Sequence, residues 1–206
     1  MTIRTCYHRP PKTIVRRTIV PARAESAGKL RIVGGTLRGS RLDVPAAPSL
    51  RPTPDRVRET LFNWLAPLID GTRCLDLFAG TGALGIEALS RGAAQVDFVE
   101  TDPRLASLLR GNLDRLKQVA AVHRSDALQF LAGNAARYDI VFLDPPFTAG
   151  LWSEVANGLE ARDRLQPGAL IYVESPAGEI PALPANWSLH RESRAGAVHF
   201  ALYRRT

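Results

Sequence analysis

The sequence predicts an α/β fold, a doubly wound and mainly parallel sheet of seven strands that ends in an antiparallel hairpin. Three observations carry this. From residue 74 onward, short apolar runs alternate with helix-length segments. A glycine-rich turn directly follows the first of those runs. The last two runs have no helix between them, so they are expected to pair antiparallel. The 206 residues, 45% hydrophobic and 23% charged, suffice for one such core and a small N-terminal appendage of a β-hairpin plus a helix.

Taken in order, residues 1–28 combine Pro10, Pro11, Pro21 and Gly28 with many cations and a single acid, Glu25. With no sustained periodicity they predict a basic, mostly disordered tail. Leu30–Val33, Thr36–Arg38 and Arg41–Val44 read as short strands around Gly34-Gly35 and Gly39, hence a small basic hairpin. After a loop punctuated by Pro45, Pro48, Pro52 and Pro54, Asp55 is placed to cap a helix reaching about Pro67, with Val57, Leu61, Phe62, Trp64 and Leu65 apolar. Beyond Gly71 the expected order is strand Cys74–Phe78, helix Gly82–Ser90, strand Gln95–Val99, helix Pro103–Lys117, strand Val119–His123, helix Ala127–Leu131 and strand Asp139–Leu143. A helix over Trp152–Leu165, a strand Ala169–Val173 and hairpin strands Trp187–Arg191 and Val198–Tyr203 complete it.

The net charge of +7 is not spread evenly. Residues 1–60 hold 13 Lys and Arg against 4 Asp and Glu, whereas residues 61–206 hold 14 against 16. Such clustering points to a polyanionic partner. Only Lys12, Lys29 and Lys117 are lysines, so most of these cations are guanidiniums, the group suited to bidentate phosphate contact. No apolar run approaches the roughly 18 residues of a spanning helix, and the N-terminus lacks a secretory apolar stretch. A soluble, cytoplasmic protein with no membrane partner is expected. Cys6 and Cys74 are too few and too differently placed for a disulfide framework or a metal cluster, and Cys74 reads as a small core residue.

Leu75-Asp76-Leu77-Phe78-Ala79-Gly80-Thr81-Gly82-Ala83-Leu84-Gly85 spells a buried strand, a tight turn and a helix start. Gly80, Gly82 and Gly85 satisfy G-x-G-x-x-G, and Glu100 follows 20 residues after Gly80 at the end of the next strand, where a ribose-binding acid belongs. Alone, this pattern serves a nicotinamide dinucleotide, a flavin or S-adenosylmethionine equally. Asp76 separates them. An acid just before the turn sits awkwardly beside a pyrophosphate but suits the α-ammonium of S-adenosylmethionine. Further on, Asp126 in Ser125-Asp126-Ala127 is placed either to accept from an adenine amino group or to cap the next helix.

Ile140-Val141-Phe142-Leu143 is an apolar strand that ends in Asp144-Pro145-Pro146-Phe147. Two prolines hold the backbone extended and remove two N–H donors, leaving acceptors beside one aromatic ring. That composition suits an exocyclic amino group on a flat base. If Asp144 and the Pro145 carbonyl each accept one amino hydrogen, the nitrogen lone pair is aimed at a methyl donor. Phe147 would stack on the base, which must leave its own stack to enter.

Together these segments resemble the class I S-adenosylmethionine-dependent methyltransferases, whose fold is Rossmann-like, and more closely the RsmD family of bacterial 16S rRNA guanine-N2-methyltransferases, over about residues 29–205. The specific text is Arg31-Ile32-Val33-Gly34-Gly35, Leu50-Arg51-Pro52-Thr53, Asp55-Arg56-Val57-Arg58-Glu59-Thr60-Leu61-Phe62-Asn63-Trp64-Leu65, Asp76 through Gly85, Asp144 through Phe147, and Ile171-Tyr172-Val173-Glu174. The resemblance implies methyl transfer to one guanine N2 in 16S rRNA within a 30S subunit or an assembly intermediate. By position, it implies that Asp76, Phe78, Ala79, Gly80, Gly82, Ala83, Glu100, Asp126 and Ala127 hold the cofactor and that Asp144, Pro145, Pro146 and Phe147 hold the base. Arg31, Arg38, Arg51, Arg56 and Arg58 are the expected phosphate contacts. The chain then divides into a tail (1–28), an RNA-binding hairpin and helix (29–70) and a catalytic domain (71–206). The tail is longer than this family usually needs. No metal is expected, and sparse apolar residues outside the core face predict a monomer. The rivals are an adenine-N6 amino-methyltransferase, a nicotinamide-dependent oxidoreductase and a non-catalytic assembly factor that keeps the fold.

Overall fold

A computed structural model describes residues 26–45, 53–133 and 135–206. Cys6, Arg51 and nearly all of the expected tail lie outside that range. Strand β1 (Ser26–Arg31) pairs antiparallel with β2 (Arg41–Pro45), so the first strand starts ahead of the expected boundary at residue 28. Thr36–Arg38 is a turn instead of a strand. The Ile32 N–H donates to the Ser40 carbonyl and the Gly39 N–H to that of Ile32, and left-handed Gly35 and Gly39 close the chain back within a few residues.

Helix α1 (Asp55–Leu65) buries Val57, Leu61, Phe62 and Leu65. Asp55 does not cap it. Pro54 holds the cap position without a side-chain bond, and Asp55 turns its carboxylate to Arg58 one turn on, at 2.6 Å. The remaining elements are β3 (Arg73–Asp76), α2 (Ala83–Ser90), β4 (Gln95–Val99), α3 (Pro103–Arg115), β5 (Ala121–His123), α4 (Ala127–Gly133), β6 (Tyr138–Leu143), α5 (Trp152–Ala161), β7 (Leu165–Pro176), β8 (Trp187–Ala195) and β9 (Val198–Arg205). Leu165 opens β7, where the residue pattern predicts the end of a helix. Asp163, at φ 54, stops α5 short in a left-handed turn.

The sheet runs β5-β4-β3-β6-β7-β9-β8, with β9 alone running against the other six strands. One face packs the hairpin residues Leu30, Ile32 and Leu42 together with α1, α2 and α3 against Cys74, Phe98, Phe142 and Tyr172. The other packs α4 and α5 against Leu75, Val141, Leu143 and Val173. The N-terminal hairpin and α1 therefore share a core with the sheet. Alternation along each strand assigns successive residues to opposite layers, which is why unbroken apolar runs such as Ile140–Leu143 suit this position. Cys74 is in that core, where burial pushes its thiol up to about 12. Among the described residues no helix is long and apolar enough to cross a membrane.

Candidate active site

The strand order reverses at β3, whose neighbours are β4 and β6. Loops leaving the carboxyl ends of β3 and β6 therefore depart to opposite faces and open a crevice between them. The glycine turn follows β3 and the Asp144 loop follows β6, so the two segments singled out in the sequence adjoin each other at this point.

Backbone geometry explains the glycines. Gly80 and Gly82 hold φ of 52° and 83°, and Gly82 is the residue that caps α2. A Cβ at Gly85 would collide with the Phe98 ring, so that glycine serves close packing of α2 on β4. The turn is pinned by the Ala79 N–H donating to the Val99 carbonyl at 3.0 Å and the Leu77 N–H to that of Phe142 at 3.2 Å.

Three carboxylates line the strand ends, each holding backbone. Asp76 accepts the Gly85 N–H at 3.0 Å, tying the end of β3 to α2. Glu100 accepts the Gly80 N–H at 2.8 Å on one oxygen and the Asp102 N–H at 2.8 Å on the other. Asp126 accepts the Leu128 and Gln129 N–H groups at 2.8 and 3.3 Å on one oxygen, which makes it the cap of α4. A carboxylate offers about four lone-pair sites, so all three keep acceptor capacity. Burial, and secondarily the charge of Glu100, push Asp76 up to about 7 even though the Gly85 and Phe78 amides pull the other way. Charging Asp76 is thus costly until a cation arrives. An α-ammonium is such a cation, and S-adenosylmethionine fits this donor set. Phe78 is half-buried, and Ala79, Ala83 and Ala127 are buried and small around the turn and the start of α4.

In the second loop Asp144 is half-buried and Pro145 buried, while Pro146 and Phe147 are exposed. Phe147 opens a short 3-10 turn, Phe147–Ala149, and keeps 38% of its surface in solvent with its ring 6.0 Å from that of Trp152. Among the described residues no donor reaches the Asp144 carboxyl. Burial, then the charges of Glu174 and Asp76, hold it well above the usual carboxylate range.

Of the expected phosphate contacts, Arg31, Arg38 and Arg56 are exposed. Arg58 is not. It is fully buried, with Nη2 donating to Asp55 at 2.6 Å and to the Arg31 carbonyl at 2.7 Å, Nη1 to Glu87 at 3.4 Å and Nε to the Thr53 carbonyl at 3.3 Å. It is a strut inside the N-terminal region, and phosphate cannot reach it. Sequence reasoning also passes over Glu87, which is buried in α2 and accepts the Val33 and Gly34 N–H groups at 2.8 Å each as well as Arg91 Nε at 2.9 Å. A buried glutamate on an otherwise apolar helix, Ala83–Ser90, is the one signal that marks it.

The family model described as Conserved hypothetical protein 95 matches residues 30–204. The chain is also 54% identical over 181 residues to ribosomal RNA small subunit methyltransferase D of Escherichia coli K12, covering 87% of this chain and 91% of that one. The chain belongs to this RsmD family. The protein of the same name from Haemophilus influenzae is 45% identical over 85% of this chain and 94% of its own length. Among solved structures, a methyltransferase from Escherichia coli superposes with a TM-score of 0.80 at 52% identity, covering 86% of this chain and 98% of that one. At 19% identity and a TM-score of 0.59, an RNA methyltransferase from Salinibacter ruber in complex with S-adenosyl-L-homocysteine shares the fold, over 75% of this chain and 94% of that one. The RsmD fold thus holds its glycine turn and its Asp-Pro-Pro-Phe loop at one crevice.

Proposed function

We propose that this RsmD-family protein is an S-adenosylmethionine-dependent rRNA methyltransferase that transfers a methyl group to the exocyclic N2 of one guanine in 16S rRNA. The observation that carries the reading is the position of Asp144. It follows directly on β6 beside the glycine turn, with no donor among the described residues spending its acceptor capacity and with an exposed aromatic ring three residues on. Asp144 and the Pro145 carbonyl accept the two amino hydrogens and turn the nitrogen lone pair outward, while Pro146 and Phe147 form the wall on which the flipped base stacks. Asp76 takes the α-ammonium of the cofactor, Glu100 the ribose hydroxyls and Asp126 the adenine amino group on its remaining oxygen. Phe78, Ala79, Gly80, Gly82, Ala83 and Ala127 shape the walls around them. The bound cofactor supplies an electrophilic methyl on a cationic sulfur. Transfer is direct and in line, so no covalent enzyme intermediate forms.

Arg31, Arg38 and Arg56, with Arg51 ahead of α1, grip phosphates of the 30S subunit or of an assembly intermediate. The protein works in the cytoplasm as a monomer. The large apolar side chains exposed among the described residues, Leu68, Val119, Phe147, Ile180 and Leu189, are dispersed along the chain and suit a protein with no dimer patch.

The test offers labelled S-adenosylmethionine with 30S subunits, naked 16S rRNA and duplex DNA in parallel, followed by nucleoside mass spectrometry. N2-methylguanosine in the ribosomal substrate is the expected product. N6-methyladenine would keep the reaction loop and overturn the base, and cofactor binding without any transfer would favour a non-catalytic assembly role.

A further inference from the structure

Glu174 is a buried acid outside the site residues assigned above, and it stands beside the reaction loop. Strands β6 and β7 run parallel with Leu143 opposite Val173, so Asp144, just past the end of β6, and Glu174, within β7, are the next residues along. Alternation puts both on the face of Phe142 and Tyr172, the face that Asp76 shares. Only 4% of Glu174 is exposed. Tyr172 Oη donates to its Oε1 at 2.6 Å, and the Thr53 hydroxyl supports it from the segment ahead of α1. From α5, Trp152 Nε1 donates to its main-chain carbonyl at 2.7 Å, and on β9 its register partner is the apolar Phe200. Among the described residues the titratable groups facing Glu174 are therefore Tyr172 and Asp144.

We propose that Glu174 makes Asp144 the proton carrier of the methyl transfer, an inference that rests on the amino-methylation reading above. Two neighbouring carboxyls in a dry setting resist ionising together, so the pair holds one proton in the cofactor-free protein. Hydrogen bonds from Tyr172 and Thr53 favour the charge on Glu174, which leaves the proton on Asp144. Burial holds both acids above the carboxylate range, Asp144 further by the charge of Glu174. Asp144 gives this proton to solvent once a sulfonium is bound beside it. When the N–C bond forms and the S–CH3 bond breaks, the amine is left with one proton too many. The Asp144 carboxylate takes it, so a neutral thioether, a neutral methylated amine and a protonated Asp144 remain.

The test counts protons released on ligand binding, by calorimetry in buffers of different ionisation enthalpy. S-adenosylmethionine and S-adenosylhomocysteine both carry the α-ammonium that faces Asp76, but only the first carries a sulfonium, so the difference between their counts reports Asp144. Wild-type protein is expected to release more protons to S-adenosylmethionine near neutral pH. The excess should vanish in Asp144→Asn and move to more acidic pH in Glu174→Gln, and the acid limb of kcat should move the same way. Equal counts in the wild type overturn the proposal, as does an unmoved acid limb in Glu174→Gln that still binds cofactor. Should that variant fail to bind, the wild-type counts alone decide. N2-methylguanosine formed with equal counts removes the proton carrier and keeps the base; unequal counts with a different methylated base do the reverse.

Discussion

The two halves of the crevice solve opposite problems. On the cofactor side, Asp76, Glu100 and Asp126 are each tied to backbone N–H groups, so their positions are fixed before any ligand arrives. On the reaction side, Asp144 follows directly on β6 in a segment whose next two residues are prolines and carry no N–H donor. A carboxylate that positions needs to be saturated from behind, whereas a carboxylate that must accept hydrogens from a substrate needs its acceptors left open. The difference shows in proton affinity too: Asp76 is pushed to about 7 with two amides opposing the shift, while Asp144 has no hydrogen bond opposing its rise.

Removing the open carboxylate should have the largest effect. Asp144→Ala is expected to lower kcat by about 10²- to 10³-fold or more while S-adenosylmethionine affinity, read by calorimetry, stays within a few-fold; an active variant would break the contrast between the two sides. Next comes Arg58→Ala. It leaves the Arg31 and Thr53 carbonyls without this donor and the buried Glu87 with Arg91 as its remaining cation, and should cost about 3 kcal/mol in denaturant unfolding, whereas Arg31→Ala, Arg38→Ala and Arg56→Ala should leave the unfolding midpoint in place. Those three exposed changes should instead weaken 30S binding and reduce the slope of log affinity against log salt by about one for each phosphate no longer neutralised.

Asp76 gives a pH signature. Its pKa rises from 3.8 in an ordinary setting to about 7 in the fold, so the folded protein holds the proton more tightly than the unfolded chain. The stability this contributes is present in acid and is lost as pH climbs to 7. Thermal melts of Asp76→Asn should therefore gain on the wild type between pH 4 and 7 and level off above, while wild-type cofactor affinity rises through pH 7. Asp126→Ala should have the smallest consequence for the fold, about 1 kcal/mol for a lost helix cap. A loss of cofactor affinity larger than that would assign its second oxygen to the ligand.

Much of this arrangement can be read from residue order, because strand alternation and glycine spacing are local properties. Gly80, Gly82 and Gly85 each occupy the place their spacing implies, two for the turn and one for packing, and Asp144 ends the apolar run that announces it. What escapes such a reading is non-local. Arg58 lies in a basic stretch and reads as one more cation until Glu87, 29 residues away, is brought against it. Glu174 likewise gains its meaning from Leu143 pairing with Val173 across two strands. Asp126 is a case in which one residue type satisfies two readings at once, and the fold settles only the capping half. Thr36-Leu37-Arg38 has strand composition and yet turns, because the backbone there is set by Gly35 and Gly39 on either side.

The Gly34-Gly35 turn has a mechanical meaning. A Cβ on either glycine would strike Arg91 or the Ser90 carbonyl, and Glu87 and Ser90 bond to this turn directly, so the hairpin sits flush on the last turn of α2. The glycine turn Gly80–Gly82 leads directly into the first turn of that same helix. Eight residues span only about 12 Å, so a rigid rod joins the element that bears Arg38 to the glycine turn that Gly82 ends. The hairpin is therefore no detachable module: grafted onto another chain without a matching Glu87 and Ser90 it would lose its seat, and deleted from this one it would leave the far end of α2 bare.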